Sequence, residues 1–155
     1  MPAVLVILGS KSDLEVGRKA VSTLEKFGID AEMVVASAHR SPERVKRMVE
    51  GSDAKVFIAV AGLAAALPGA IASYTVRPVI GVPVSGKVNL DSILSIVQMP
   101  PGIPVAAVGI DRGENAALLA AEMLALEDER LRKALLAHRK EMEEQVRKDS
   151  EEVGG

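Results

Sequence analysis

Two histidines are present in this chain of 155 residues, and only one stands in company that could use it chemically. His39 lies in Ser37-Ala38-His39-Arg40. An imidazole gives and takes a proton near neutral pH, and a guanidinium presents a fixed fork of donors suited to phosphate. Two other short stretches carry compatible groups. Gly9-Ser10-Lys11-Ser12-Asp13 offers two hydroxyls and a carboxylate, and Gly62 opens the small apolar run Leu63-Ala64-Ala65-Ala66-Leu67. Ser10, Ser12, Ser37 and Arg40 describe an anion cradle, to which helix starts add free backbone N–H groups. Asp13 accepts hydrogen bonds only, when ionised, which suits sugar hydroxyls and repels a phosphate set beside it. Phosphate and sugar are therefore expected in different parts of one cleft.

Each group also has an ordinary reading. Ser12 and Glu15 have capping-box spacing, so Ser12 and Asp13 also suit a purely local role at a helix start. Arg40 alone reads as a solvated charge, and His39 alone as an exposed or structural histidine. Their conjunction favours chemistry. His138 lies among charged residues and reads as exposed or at a subunit contact. The two histidines lack ligand spacing and the chain has no cysteine, so no metal site, thiolate nucleophile or disulfide is expected.

Strand-turn-helix units must position these groups. Residues 3–8 form a short, almost wholly apolar run followed by a turn and an amphipathic stretch to about residue 27. The pattern recurs as a strand over 32–36 and a helix over 42–50, then as a strand over 55–61. Ser41-Pro42-Glu43 sets a cap before a proline at the first helical position. Leu67-Pro68-Gly69 places the next helix start there, leaving 62–66 as an irregular turn. Further strands are expected over 78–84 and 104–110, a loop over 85–90, and helices over 91–98, 115–126 and 129–147, the last one charged and extending to about residue 150. Apolar strands alternating with helices predict one α/β domain over 1–155: a three-layer α/β/α sandwich with a flavodoxin-like parallel sheet and a C-terminal helix. In that strand order the first strand lies between the second and third, and all three turns surround one cleft at the carboxyl ends of the strands.

Composition narrows the partners. With Phe27, Phe57 and Tyr74 as the only aromatics, nucleobase binding by several stacked aromatic rings is not expected. A formal net charge of −2 gives no broad cationic footprint for nucleic acid or an anionic membrane. No apolar run approaches the ~20 residues of a membrane span, and the first residues do not read as a signal peptide, so a cytoplasmic protein is expected.

These turns are similar, in order and wording, to the family of 5-(carboxyamino)imidazole ribonucleotide mutases and aminoimidazole ribonucleotide carboxylases of purine synthesis. The resemblance rests on Gly9-Ser10-Lys11-Ser12-Asp13, Ser37-Ala38-His39-Arg40, Ala61-Gly62 with Ala64-Ala65 and Leu67-Pro68-Gly69, Val79-Ile80-Gly81-Val82-Pro83-Val84, and Ser95-Ile96-Val97-Gln98-Met99-Pro100, collinear over about residues 3–126. It implies a homo-octamer, a ribonucleotide substrate, and transfer of carboxylate from the exocyclic nitrogen to the adjacent ring carbon without metal, ATP or organic cofactor. It implies that Ser10, Ser12, Ser37 and Arg40 hold the phosphate, Asp13 meets ribose, and His39 transfers the proton. Gly62, Ala64, Ala65 and Leu67 would lie against the imidazole and the migrating carboxyl group. Two positions depart from the commoner mutase pattern: Leu63 replaces a glycine and Ala66 a second histidine. The loop over 85–89 is also shorter than usual for the family. Leu67-Pro68-Gly69 favours the mutase side; a direct carboxylase, a carboxylase of another heteroaromatic nucleotide, and a non-enzymatic flavodoxin-like nucleotide-binding module are the alternatives.

Overall fold

The structure is a computed structural model and describes residues 2–154. Five parallel strands, β1 (Val4–Leu8), β2 (Ala31–Val35), β3 (Val56–Ala61), β4 (Val79–Pro83) and β5 (Ala106–Ala107), lie in the order β2-β1-β3-β4-β5. This is the expected flavodoxin-like arrangement, with β1 between β2 and β3.

Alternation along the strands builds two cores. Val4, Val6 and Leu8 of β1, with Val56, Ile58 and Val60 of β3, face α1 (Leu14–Lys26) and α5 (Gly113–Leu124). Leu5 and Ile7, with Phe57, Ala59 and Ala61, face α2 (Pro42–Glu50), α3 (Leu67–Ser73) and α4 (Asn89–Val97). Both sheet faces are thereby dry, which is why the central strands read as continuous apolar runs rather than alternating ones. Each fully buried Val, Leu, Ile or Phe contributes about 1.5–3 kcal/mol. Of the three aromatic residues, Phe27 and Phe57 are buried, while Tyr74 forms the C-cap of α3.

Small residues let the layers approach. A Cβ on Gly113 would lie 2.2 Å from the carbonyl oxygen of Val16 and 3.2 Å from the amide nitrogen of Ala20, so the start of α5 rests on the backbone of α1. Ala116, Ala117, Ala120 and Ala121 extend this close face. On the opposite side of the sheet, Gly81 accepts Ile96, whose Cγ2 would stand 2.6 Å from an added Cβ.

Several boundaries differ from the sequence reading. The strand expected over 104–110 is only two residues long. As an edge strand it has one neighbour, Pro104 lacks an N–H, and Asp111 turns left-handed at φ 59°. Single bonds from Val108 N to Gly81 O (3.2 Å) and from Asp111 N to Pro83 O (2.8 Å) continue the pairing beyond it. The capping box belongs to Ser10 and Asp13 rather than to Ser12 and Glu15, because a 3-10 turn over Lys11–Asp13 precedes α1. Helix α6 (Glu129–Glu152) runs beyond the expected end, capped by Asp128, whose carboxylate accepts from Leu131 N at 3.0 Å. Arg132 with Glu129, and Arg147 with Glu144 and Glu151, support its solvated turns, each pair by about 0.2–0.5 kcal/mol. His138 is not merely exposed: its ring meets Phe27 edge-on, with centroids 5.4 Å apart. Among the described residues no helix is long and apolar enough to cross a membrane.

Candidate active site

The turn after β1 is held from within. Ser10 Oγ accepts from Ser12 N at 3.4 Å and from Ser12 Oγ at 3.1 Å, which leaves its own proton to offer to an anion. Ser10 N donates to Asp13 Oδ2 at 3.1 Å. Asp13 is buried, and loss of solvent holds its carboxyl above the ordinary carboxylate value, partly offset by the Ser10 N–H.

The turn after β2 is closed by serines. Ser37 N donates to Ser41 Oγ at 3.0 Å, and Ser41 Oγ donates back to Ser37 O at 3.1 Å. Ser41 therefore ties the loop together and makes no side-chain cap on α2, whose start is set by Pro42 at its first position. Ser37 Oγ accepts from Arg40 N at 3.1 Å and Arg40 Nε at 3.3 Å, while Arg40 Nη2 donates to Gly9 O at 3.0 Å. The bonds of this turn run through Ser37, Arg40 and Ser41, and none involves the His39 ring, which is exposed at the tip.

The turn after β3 is strained. Ala65 N donates to Gly62 O at 3.0 Å, and Leu63 and Ala65 carry φ values of 49° and 21°. L-residues in the left-handed region cost roughly 1–2 kcal/mol each. Glycine would adopt the left-handed backbone of residue 63 without steric cost. Leu63 is 68% exposed, whereas Ala65 and Leu67 are buried.

All three turns open on one cleft of about 600 Å³, within the usual range for a small-molecule site. Ser10, Ser12, Asp13, Ser37, His39, Arg40, Gly62, Ala64, Ala65 and Leu67 all line it. The structure also adds a wall that the three-turn scheme treats only as a lid: Val84, Ser85, Gly86 and Val88, from the connection after β4. The signal for it is the place of β4 beside β3 at the same sheet edge. Ser85 N donates to Asp111 Oδ1 and Gly86 N to Asn89 Oδ1, both at 2.8 Å, fixing that connection. Strand order thus divides the cleft. Ser10, Ser12, Ser37, the imidazole and the guanidinium stand over β2 and β1, with Ala38 among them; Ala64, Ala65, Ala66, Leu63, Leu67, Val84 and Val88 stand over β3 and β4, with Ser85 the one hydroxyl on that side. Among the described residues no group of three His, Cys, Asp or Glu side chains could hold a metal ion.

A doubly wound parallel sheet thus gathers Ser10, Ser12, Ser37, His39 and Arg40 in one cleft at its switch point, the place where open α/β sheets bind ligands. The chain belongs to the AIR carboxylase family, whose description matches residues 3–145. It is 57% identical to the N5-carboxyaminoimidazole ribonucleotide mutase of Methanocaldococcus jannaschii over 151 residues, covering 97% of this chain and 96% of that one. The mutase of Pyrococcus abyssi is 52% identical over 147 residues, covering 92% and 84% respectively. The crystal structure of Treponema denticola PurE superposes with a TM-score of 0.90 at 30% identity, covering 100% of both chains.

Proposed function

We propose that this chain is an N5-carboxyaminoimidazole ribonucleotide mutase of purine biosynthesis, with His39 as its general acid and base. The observation that carries the assignment of roles is the division of one cleft into a polar half bearing His39 and an apolar half beside it. Ser10, Ser12, Ser37 and Arg40 hold the phosphate, Asp13 meets the ribose, and Gly62, Ala64, Ala65 and Leu67 lie against the ring.

The reaction closes on one imidazole. As the bond between the exocyclic nitrogen and the carboxyl carbon breaks, its electron pair stays on nitrogen and takes a proton from imidazolium His39, giving the amine and carbon dioxide. The ring carbon next to the one that bears the amine then attacks carbon dioxide, forming the carbon–carbon bond. The proton displaced from that carbon returns to His39, giving 4-carboxy-5-aminoimidazole ribonucleotide and the starting enzyme. Substrate and product are isomers and no electrons enter or leave, so these steps consume neither a redox equivalent nor a nucleoside triphosphate. The apolar half of the cleft limits hydration and escape of carbon dioxide while the nucleotide holds its carbon in place.

We place the enzyme in the cytoplasm and infer a homo-octamer. Leu90, Leu94 and Val97 support assembly, forming an exposed apolar stripe on α4 at helical spacing. The test offers purified protein the carbamate nucleotide at low bicarbonate, and separately the amine nucleotide with bicarbonate, following the carbon-linked carboxylate. A mutase turns over the first. Turnover of the second alone makes the protein a direct carboxylase, and binding without turnover of either makes it a nucleotide-binding module.

A further inference from the structure

We propose that Leu63 is a positioning residue that closes the apolar half of the cleft over the reacting ring and retains carbon dioxide there. The assignment rests on the mutase reading and begins from a mismatch between backbone and side chain. Leu63 holds a left-handed φ of 49°, a conformation that glycine adopts without steric cost. Burial does not offset that strain in the fold, since the leucine is 68% exposed. A strained conformation persists only where surrounding structure imposes it, and such positions concentrate at functional sites. Here the turn closed by Ala65 N and Gly62 O holds residue 63 at the cleft.

Its neighbours fit this use. Val88, 49% exposed, and Val84 line the same cleft from the connection after β4. A flat heteroaromatic ring entering beside them would cover the apolar surface that Leu63 and Val88 now leave in solvent. The intermediate to be retained is neutral and carries no charge for Arg40 or the serines to grip. A water-excluding hydrocarbon wall is therefore the means available to hold it, and Leu63 is the large side chain that the turn after β3 leaves uncovered.

The test uses the full chain with Leu63→Gly and Leu63→Met. Supplied with carbamate nucleotide, each protein is assayed for carbon-linked carboxylate and for amine nucleotide released above the uncatalysed rate. KM, thermal midpoint and assembled mass are measured alongside. Leu63→Gly is expected to raise KM and the released share of amine roughly tenfold, the effect of exposing part of a leucine's area, at an unchanged or higher thermal midpoint. Leu63→Met, which restores an apolar side chain, is expected to return both values towards wild type. Unchanged KM and partition in Leu63→Gly overturn the assignment while leaving the mutase reading intact. A smaller assembled mass in Leu63→Gly also overturns it, placing the side chain in a subunit contact. A wild-type protein that makes no carbon-linked carboxylate overturns the mutase reading, and this assignment with it.

Discussion

Arg40 Nη2 donates to the carbonyl oxygen of Gly9 at 3.0 Å, joining two turns that lie 31 residues apart in sequence. The same guanidinium reaches Ser37 Oγ through Nε, so one side chain sets the distance between the halves of the proposed anion cradle. Arg40→Ala removes both the brace and a cation. Hydrogen bonds to charged groups are worth about 1.5–3 kcal/mol, so nucleotide affinity should fall by roughly 10- to 100-fold. Because Arg40 is exposed, unfolding free energy should change by less than about 1 kcal/mol. Titration calorimetry and urea unfolding measure the two effects, and unaltered affinity removes Arg40 from the cradle.

His39→Asn should separate chemistry from binding. The imidazole takes no part in the bonds that hold its turn, so stability should shift by no more than about 0.5 kcal/mol and nucleotide affinity by no more than several-fold. Turnover should fall by at least about 100-fold, the lower range for loss of a general acid and base. Turnover at the wild-type rate would refute the role given to His39.

Asp13 makes a prediction in pH. Burial raises its folded-state pKa, so its contribution to stability is present in acid, below the unfolded value, and is lost as pH rises through the folded value. At neutral pH the ionised group is a cost. Asp13→Asn keeps an oxygen to accept from Ser10 N and carries no charge. The variant should be at least as stable as wild type near pH 7 and should show a flatter stability profile from about pH 4 upwards. Urea midpoints across that range decide it; a less stable variant at neutral pH would show that the charge itself supports the turn.

Gly113 and Gly86 form a contrasting pair. An alanine at 113, the first residue of α5, would gain at most the about 1 kcal/mol that a helix interior gives, yet its Cβ would lie 2.2 Å from Val16 O, a backbone atom with no rotamer to change. Overpacking costs typically 1–3 kcal/mol, so Gly113→Ala should destabilise despite its propensity. A Cβ at Gly86 would meet nothing within 4 Å, and Gly86→Ala should stay within about 0.5 kcal/mol of wild type. Chemical denaturation of both variants tests whether close approach of α5 to α1, rather than glycine content, sets the effect.

The sequence carries the local half of this structure. Apolar runs reveal β1, β3 and β4 because both faces of those strands are covered, and Pro42 marks the start of α2 by its own ring geometry. The residues of the three turns are legible as a set because each turn follows a strand in the same direction. What depends on neighbours in space is hidden. The spacing Ser12-x-x-Glu15 is no less suitable than Ser10-x-x-Asp13, and a 3-10 turn decides between them. Ser41 looks like a cap until Ser37 takes its hydroxyl. The shortness of β5 follows from Pro104, which lacks an N–H, and from the left-handed turn at Asp111, and the cleft wall at Val84 and Val88 follows from the place of β4 beside β3.

The scarcity of rings in this fold has an optical consequence. With no tryptophan and Tyr74 as the sole phenol, the chain absorbs weakly in the near ultraviolet. A bound heteroaromatic nucleotide would therefore stand out in a difference spectrum. An indole introduced at Val88 would be the only such emitter, reporting occupancy by its fluorescence without correction for a background.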